Sequence, residues 1–109
     1  LDSRRRIAAM ADDVINKGKP LKARLSAARM LRNYAYHHRV GEYLDVIADD
    51  TEEESLRITL AEALGWFTLS QNRVIIVNTF EEVASGSQTP PALKDELRKS
   101  IARIEVYMR

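Results

Sequence analysis

The chain is expected to be all-α, about six helices in stacked antiparallel pairs forming an α–α superhelix, and three observations lead there. The first is Asp50–Phe67, DTEEESLRITLAEALGWF, where Leu56, Leu60, Ala61, Leu64 and Phe67 recur at one-face helical spacing. A helix with one apolar stripe must lay it against another element. The second is that this stripe recurs in weaker form on both sides. The third is composition: only four Gly and three Pro in 109 residues argue against disorder and against a β fold rich in tight turns.

The first helix is expected over Ser3–Lys17, with Ile7, Ala11, Val14 and Ile15 on one side. Arg4, Arg5 and Arg6 in its first turn have the wrong sign for a helix N-terminus, so its start is expected to fray or to continue from upstream sequence. Gly18 is placed as a C′ residue and Pro20 as the first residue of the next helix. That second helix runs to about Tyr36, with Leu25, Ala28, Leu31 and Ala35 inward. A third spans about Arg39 to Ala48 and uses Val40, Leu44 and Ile47.

The fourth helix is the central one. Thr51 and Glu54 have the spacing of a capping box, and Glu52 and Glu53 add negative charge at the positive end of the dipole. Gly65 reads as a helix end or a close-packing position. Ser70 is taken as the cap of a fifth helix, Gln71–Ser85, ended near Gly86. Its VIIV run favours a strand by propensity, but Val74, Val77, Phe80 and Ala84 keep helical spacing. Thr89-Pro90 opens the sixth helix, whose stripe is Leu93, Leu97, Ile101, Ile104 and Met108.

A shift of 33 residues carries Arg57, Ile58, Ala61, Leu64 and Phe67 back onto Arg24, Leu25, Ala28, Leu31 and Tyr34. A shift of 37 carries Leu56, Arg57, Leu60, Leu64 and Phe67 forward onto Leu93, Lys94, Leu97, Ile101 and Ile104. Self-similarity at this period marks a solenoid, in which helix pairs bury their faces by stacking. Counted this way the chain is a second helix, two hairpins, then a first helix. A helical bundle with chance periodicity is the competing reading.

Asp50, the Leu56-Arg57 pair and Ala61-Glu62-Ala63-Leu64-Gly65 resemble the short bacterial HEAT repeat, an armadillo-like helical repeat. The resemblance covers roughly residues 20–109; the flanking copies are poorer, and the last has Lys94 and no Gly. It implies one HEAT-like domain over residues 1–109, and, with Leu rather than Met at position 1, a piece of a longer protein. It also implies that Arg24 and Arg57 bond to an acid or carbonyl of a neighbouring repeat. In such stacks the second helices line the inner face, which would put there an acidic ladder of Asp12, Asp13, Glu42, Asp45, Asp49 and Glu82. Lys22, Arg29 and Arg32 lie on the outward side of the second helix. Trp66 beside the inward Phe67 belongs near its helix edge.

Chemistry is sparse. Without cysteine there is no disulfide and no thiolate metal site; this fits a reducing compartment such as the cytoplasm and excludes no other. His37 and His38 are adjacent, about 100° apart on a helix, and lack the i, i+3 or i, i+4 partners of a metal site, so no metal or cofactor is expected. No P-loop, GxGxxG or GxSxG motif occurs, and no apolar run is long enough to span a membrane. Net charge is near neutral, yet residues 1–40 hold ten Lys/Arg against three Asp, +7, and residues 41–109 seven against thirteen acids, −6.

The expected function is a non-catalytic interaction or scaffold module. It would bind protein, either a basic segment or the parent chain's upstream domain, through the acidic ladder and Trp66; a solvated face is the plainer account of the ladder. Nucleic acid is disfavoured, because it would want a continuous basic face. The alternative is a helical domain of a larger enzyme, since HEAT-like stacks accompany some peptidases, bilin lyases and DNA glycosylases.

Overall fold

The computed structural model describes residues 2–34 and 37–108 and is all-helical there, with no strand. The helices are α1 (Asp2–Ile15), α2 (Leu21–Leu31), α3 (Val40–Ala48), α4 (Glu54–Leu64), α5 (Arg73–Ala84) and α6 (Pro91–Val106), with a 3₁₀ turn at His37–Arg39 before α3. They form a slab of 38 × 32 × 17 Å, the thickness of two helix layers at ordinary packing distance. α1, α3 and α5 make one layer; α2, α4 and α6 make the other.

Across the layers the helices pack as α1/α2, α3/α4 and α5/α6. This differs by one helix from the frame read in the sequence, which joined α2 to α3 and α4 to α5. Turn geometry gives the reason. α2, α4 and α6 are each entered through an extended N-cap, at Pro20, Glu53 and Pro90, with φ/ψ of −59°/144°, −59°/132° and −58°/143°. These three close turns join the packed pairs, and the longer connections run between pairs.

The core follows the stripe. Leu56, Leu60, Ala61, Leu64 and Phe67 of the central segment are all buried, against Ala11, Val14, Ala28, Leu31, Tyr43, Ile47, Ile76, Phe80, Leu93, Leu97 and Ile104. The VIIV run is helical, as spacing favours over propensity. Val77, Phe80 and Ala84 are buried as expected and Ile76 joins them, whereas Val74 is exposed; the helix begins only at Arg73, two residues late, which leaves Val74 in its first turn at the helix end. Met108 lies beyond the end of α6 and is exposed rather than inward.

The termini of the elements depart from expectation where turn chemistry decides. Thr51 is no cap: its hydroxyl donates to Asp49 Oδ1 (2.6 Å), and α4 starts behind Glu53 with no side-chain cap bond. Ser70 Oγ likewise accepts from Asn72 N–H (3.0 Å) ahead of α5 instead of capping it. Gly18 does not have the left-handed backbone of a C′ glycine; its N–H donates to Asn16 Oδ1 (2.8 Å). α2 ends at Leu31, and the inward placement of Ala35 and the end near Tyr36 fall outside the described residues.

Gly65 is a close-packing position. Ser100 of α6, fully buried, donates to Ala61 O (3.2 Å) across the α4/α6 contact. A Cβ on Gly65 would come within 2.7 Å of Ser100 Cβ and 2.8 Å of Arg103 Nη1.

Candidate functional site

Two arginines join the layers in the same way. Arg24 Nε donates to Val14 O (3.0 Å), and 33 residues later Arg57 Nε donates to Ile47 O (2.8 Å). Each sits four residues after its N-cap, so the helix start aims it at the last turn of the helix it packs against. The Arg24 fork then closes on Glu52 through Nη1–Oε1 (2.9 Å) and Nη2–Oε2 (2.8 Å), with both side chains 6% exposed. Glu52, which the sequence assigns to the helix dipole, is instead half of a buried bidentate pair.

The acidic ladder lies on the α1/α3/α5 layer, and cations from elsewhere in the chain reach into it. Arg39 donates to both Glu42 oxygens (2.6 and 3.0 Å) and to Asp12 (2.5 Å). Lys17 bonds Asp49 (2.9 Å), and Lys19 lies 3.6 Å from Asp13. The hydrogen bonds from Thr51 and Lys17 hold the Asp49 carboxyl well below the usual carboxylate range; its bond to Asp49 raises Lys17. Arg39 lowers Glu42 and is itself raised, by Glu42 first and Asp12 second. Asp45 and Glu82 are exposed and carry no ion pair among the described residues. Lys17, Glu42, Asp45, Asp49 and Glu52 share a shallow cleft of about 240 Å³.

Trp66 lies on the other layer, at the end of α4, so the structure does not bring it together with the acids. It is 42% exposed, and guanidinium carbons of Arg32 and Arg103, from the two helices flanking α4, stand 4.4 and 4.2 Å from its ring centroid. Arg103 Nη1 is buried without a hydrogen-bond partner among the described residues; the ring's negative face takes the place of an acceptor. Arg32 also pairs with Glu62 (3.3 Å), and with Arg29, Thr59 and Ala63 these two line a groove of about 230 Å³. The sequence signals for this cluster were Trp66 and the outward Arg29 and Arg32, which were not connected with it; Arg103, which reaches the ring from 37 residues away, gave none.

Among the described residues no group of three or more His, Asp and Glu is placed to hold a metal ion, and no helix is long and apolar enough to cross a membrane. No family model, curated protein or solved structure matches this chain.

Proposed function

We propose that the chain is a HEAT-like helical-repeat module without catalysis of its own, which binds a protein segment across the solvent-exposed side of the α2/α4/α6 layer. The observation that carries this is Trp66, half-exposed and held in place by Arg32 and Arg103. Trp and Arg are the residue types that dominate binding hot spots, and a side chain already ordered in the free protein loses little entropy on binding. Arg32 connects this platform to the adjoining groove with Arg29 and Glu62. The fitting partner places an apolar or aromatic side chain against the exposed part of the indole and acidic side chains on Arg29 and Arg32. The α1/α3/α5 face is a weaker choice for a basic partner, because Asp12, Asp13, Glu42 and Asp49 already have basic partners within the chain.

The test is selection from a displayed random-peptide library on the native chain, with the binders then titrated against native and Trp66→Ala protein. Hot-spot removal costs about 2 kcal/mol or more, so binding should weaken about 30-fold or more. Binders indifferent to Trp66→Ala would overturn the proposal. So would tight duplex-DNA binding that falls steeply with salt, in a parallel titration at low and high ionic strength.

A further inference from the structure

The three turns into α2, α4 and α6 each end in an extended N-cap of nearly the same φ/ψ, and the residues around that cap correspond position by position. The residue ahead of each extended N-cap is Lys19, Glu52 or Thr89; the fourth residue after it is Arg24, Arg57 or Lys94. Arg24 takes its carboxylate from Glu52, the residue ahead of the cap in the following turn. Arg57 stands in the same relation to Thr89 of the turn after that. Thr89 has no carboxylate, and its hydroxyl donates to Val83 O (2.7 Å).

Arg57 is therefore a largely buried cation, 4% exposed, whose Nε is bonded to Ile47 O and whose terminal amines have no protein acceptor among the described residues and meet solvent at the cleft rather than being sealed in the core. They border a cleft of about 300 Å³ with Asp50, Gly86, Gln88 and Thr89. Asp50 shares the wall but does not form an ion pair with it. A planar fork in a low-dielectric position matches one ligand chemistry well, a carboxylate received through two parallel hydrogen bonds. We infer that the cleft between the α3–α4 turn and the α5–α6 turn is a carboxylate-binding site, with Arg57 as its anchor. It takes an acidic side chain presented by a peptide, as the Arg24 position takes Glu52 from within the chain. The site is at the opposite end of α4 from Trp66 and stands independently of the proposed peptide-binding face.

The experiment follows the Arg57 side-chain Nε–H and the Gln88 and Thr89 amides by NMR at fixed ionic strength. The probes are sodium acetate, the capped peptide Ala-Glu-Ala, its Ala-Gln-Ala counterpart and inorganic phosphate. Saturable shifts with acetate and Ala-Glu-Ala, and none with Ala-Gln-Ala, are the expected result; a stronger response to the peptide than to acetate identifies a side chain in a peptide as the ligand. Thr89→Glu supplies the missing carboxylate from within and should weaken Ala-Glu-Ala binding at least about tenfold, the loss of roughly one charge-assisted bond. Thr89→Gln, similar in size and uncharged, should leave binding in place and serves as the control for loss of the Val83 bond. The inference is overturned if neither carboxylate probe shifts these signals, if only phosphate does, or if Thr89→Glu and Thr89→Gln bind Ala-Glu-Ala alike.

Discussion

Removing Glu52 should be among the costliest single changes in the molecule. In Glu52→Ala the Arg24 guanidinium keeps its Nε bond to Val14 O but loses both bonds of its fork, at 2.9 and 2.8 Å. The Arg24 and Glu52 side chains are each 6% exposed, and only the shallow cleft beside Glu52 brings solvent near the fork, so water replaces the lost carboxylate poorly. Breaking a buried pair from one side costs about 3–5 kcal/mol, because a charge is left uncompensated. Against a total of about 5–15 kcal/mol for a domain this is about a fifth or more. At about 4–8 °C per kcal/mol the melting temperature should fall by about 12 °C or more. Urea unfolding followed by circular dichroism should show the midpoint lowered by at least about 1 M, taking a slope of about 1–3 kcal/mol per M. The double variant Arg24→Met with Glu52→Leu should recover most of the loss, since apolar replacements of a buried pair are often neutral or stabilising. A Glu52→Ala cost below about 1 kcal/mol, the range of solvated surface pairs, would refute the reasoning: the junction would be wet rather than closed.

Leu64→Ala should cost about 2–5 kcal/mol, because Leu64 is fully buried in the shared core. Leu69→Ala, at 81% exposure, should stay within about 0.5 kcal/mol, and equal costs in urea melts would show the inward face to be misassigned. Gly65→Ala should cost about 1–3 kcal/mol by overpacking against Ser100 and Arg103, and should also change Trp66 fluorescence as Arg103 is displaced. Asp49 has a folded pKa below its unfolded value, so its contribution is present above about pH 4 and is lost as pH falls through the folded value. Acid titration of Asp49→Asn should therefore show a shallower loss of stability below about pH 4 than the parent; an unchanged profile would show that Asp49 is not held by Thr51 and Lys17.

Most of the helical frame was legible because it rests on local periodicity. Leu56, Leu60, Ala61, Leu64 and Phe67 define a face by spacing alone, and the core forms on that face. For the same reason the VIIV run resolves as helix: Ile76, Val77 and Phe80 bury together on one side of α5. Turn chemistry was less legible. Thr51 has the spacing of a cap, but Asp49 Oδ1 accepts from both its N–H and its hydroxyl in a turn, and the helix starts two residues later behind Glu53, out of reach of the capping geometry. The pairing frame was misread because periodicity says which residues recur, not which neighbouring helix a turn folds back upon. The electrostatics were the least legible. Arg39 reaches Asp12 from 27 residues away, Lys17 reaches Asp49 from 32, and Glu52 meets Arg24 from 28. Such partners become neighbours only once the layers stack, so the ladder read as a run of free acids. The recurrence of Arg24 at Arg57 was visible from the start; the absence of an acid at Thr89 acquired meaning only when the turns were placed in register.

The most direct test of the stacked pairs is the exchange of arginine Nε–H protons in a uniformly labelled sample. Arg24 and Arg57 each donate Nε–H to a carbonyl in the helix they pack against, and both residues are about 95% buried. Both signals should be protected from solvent exchange and show scalar couplings across the hydrogen bond to the carbonyl carbons of Val14 and Ile47. The exposed Arg39 Nε–H, paired with Glu42, should exchange quickly by comparison. Protection at both positions, with both couplings, is the result that two equivalently joined helix pairs require. Rapid exchange at either one, or coupling to a different carbonyl, would contradict it.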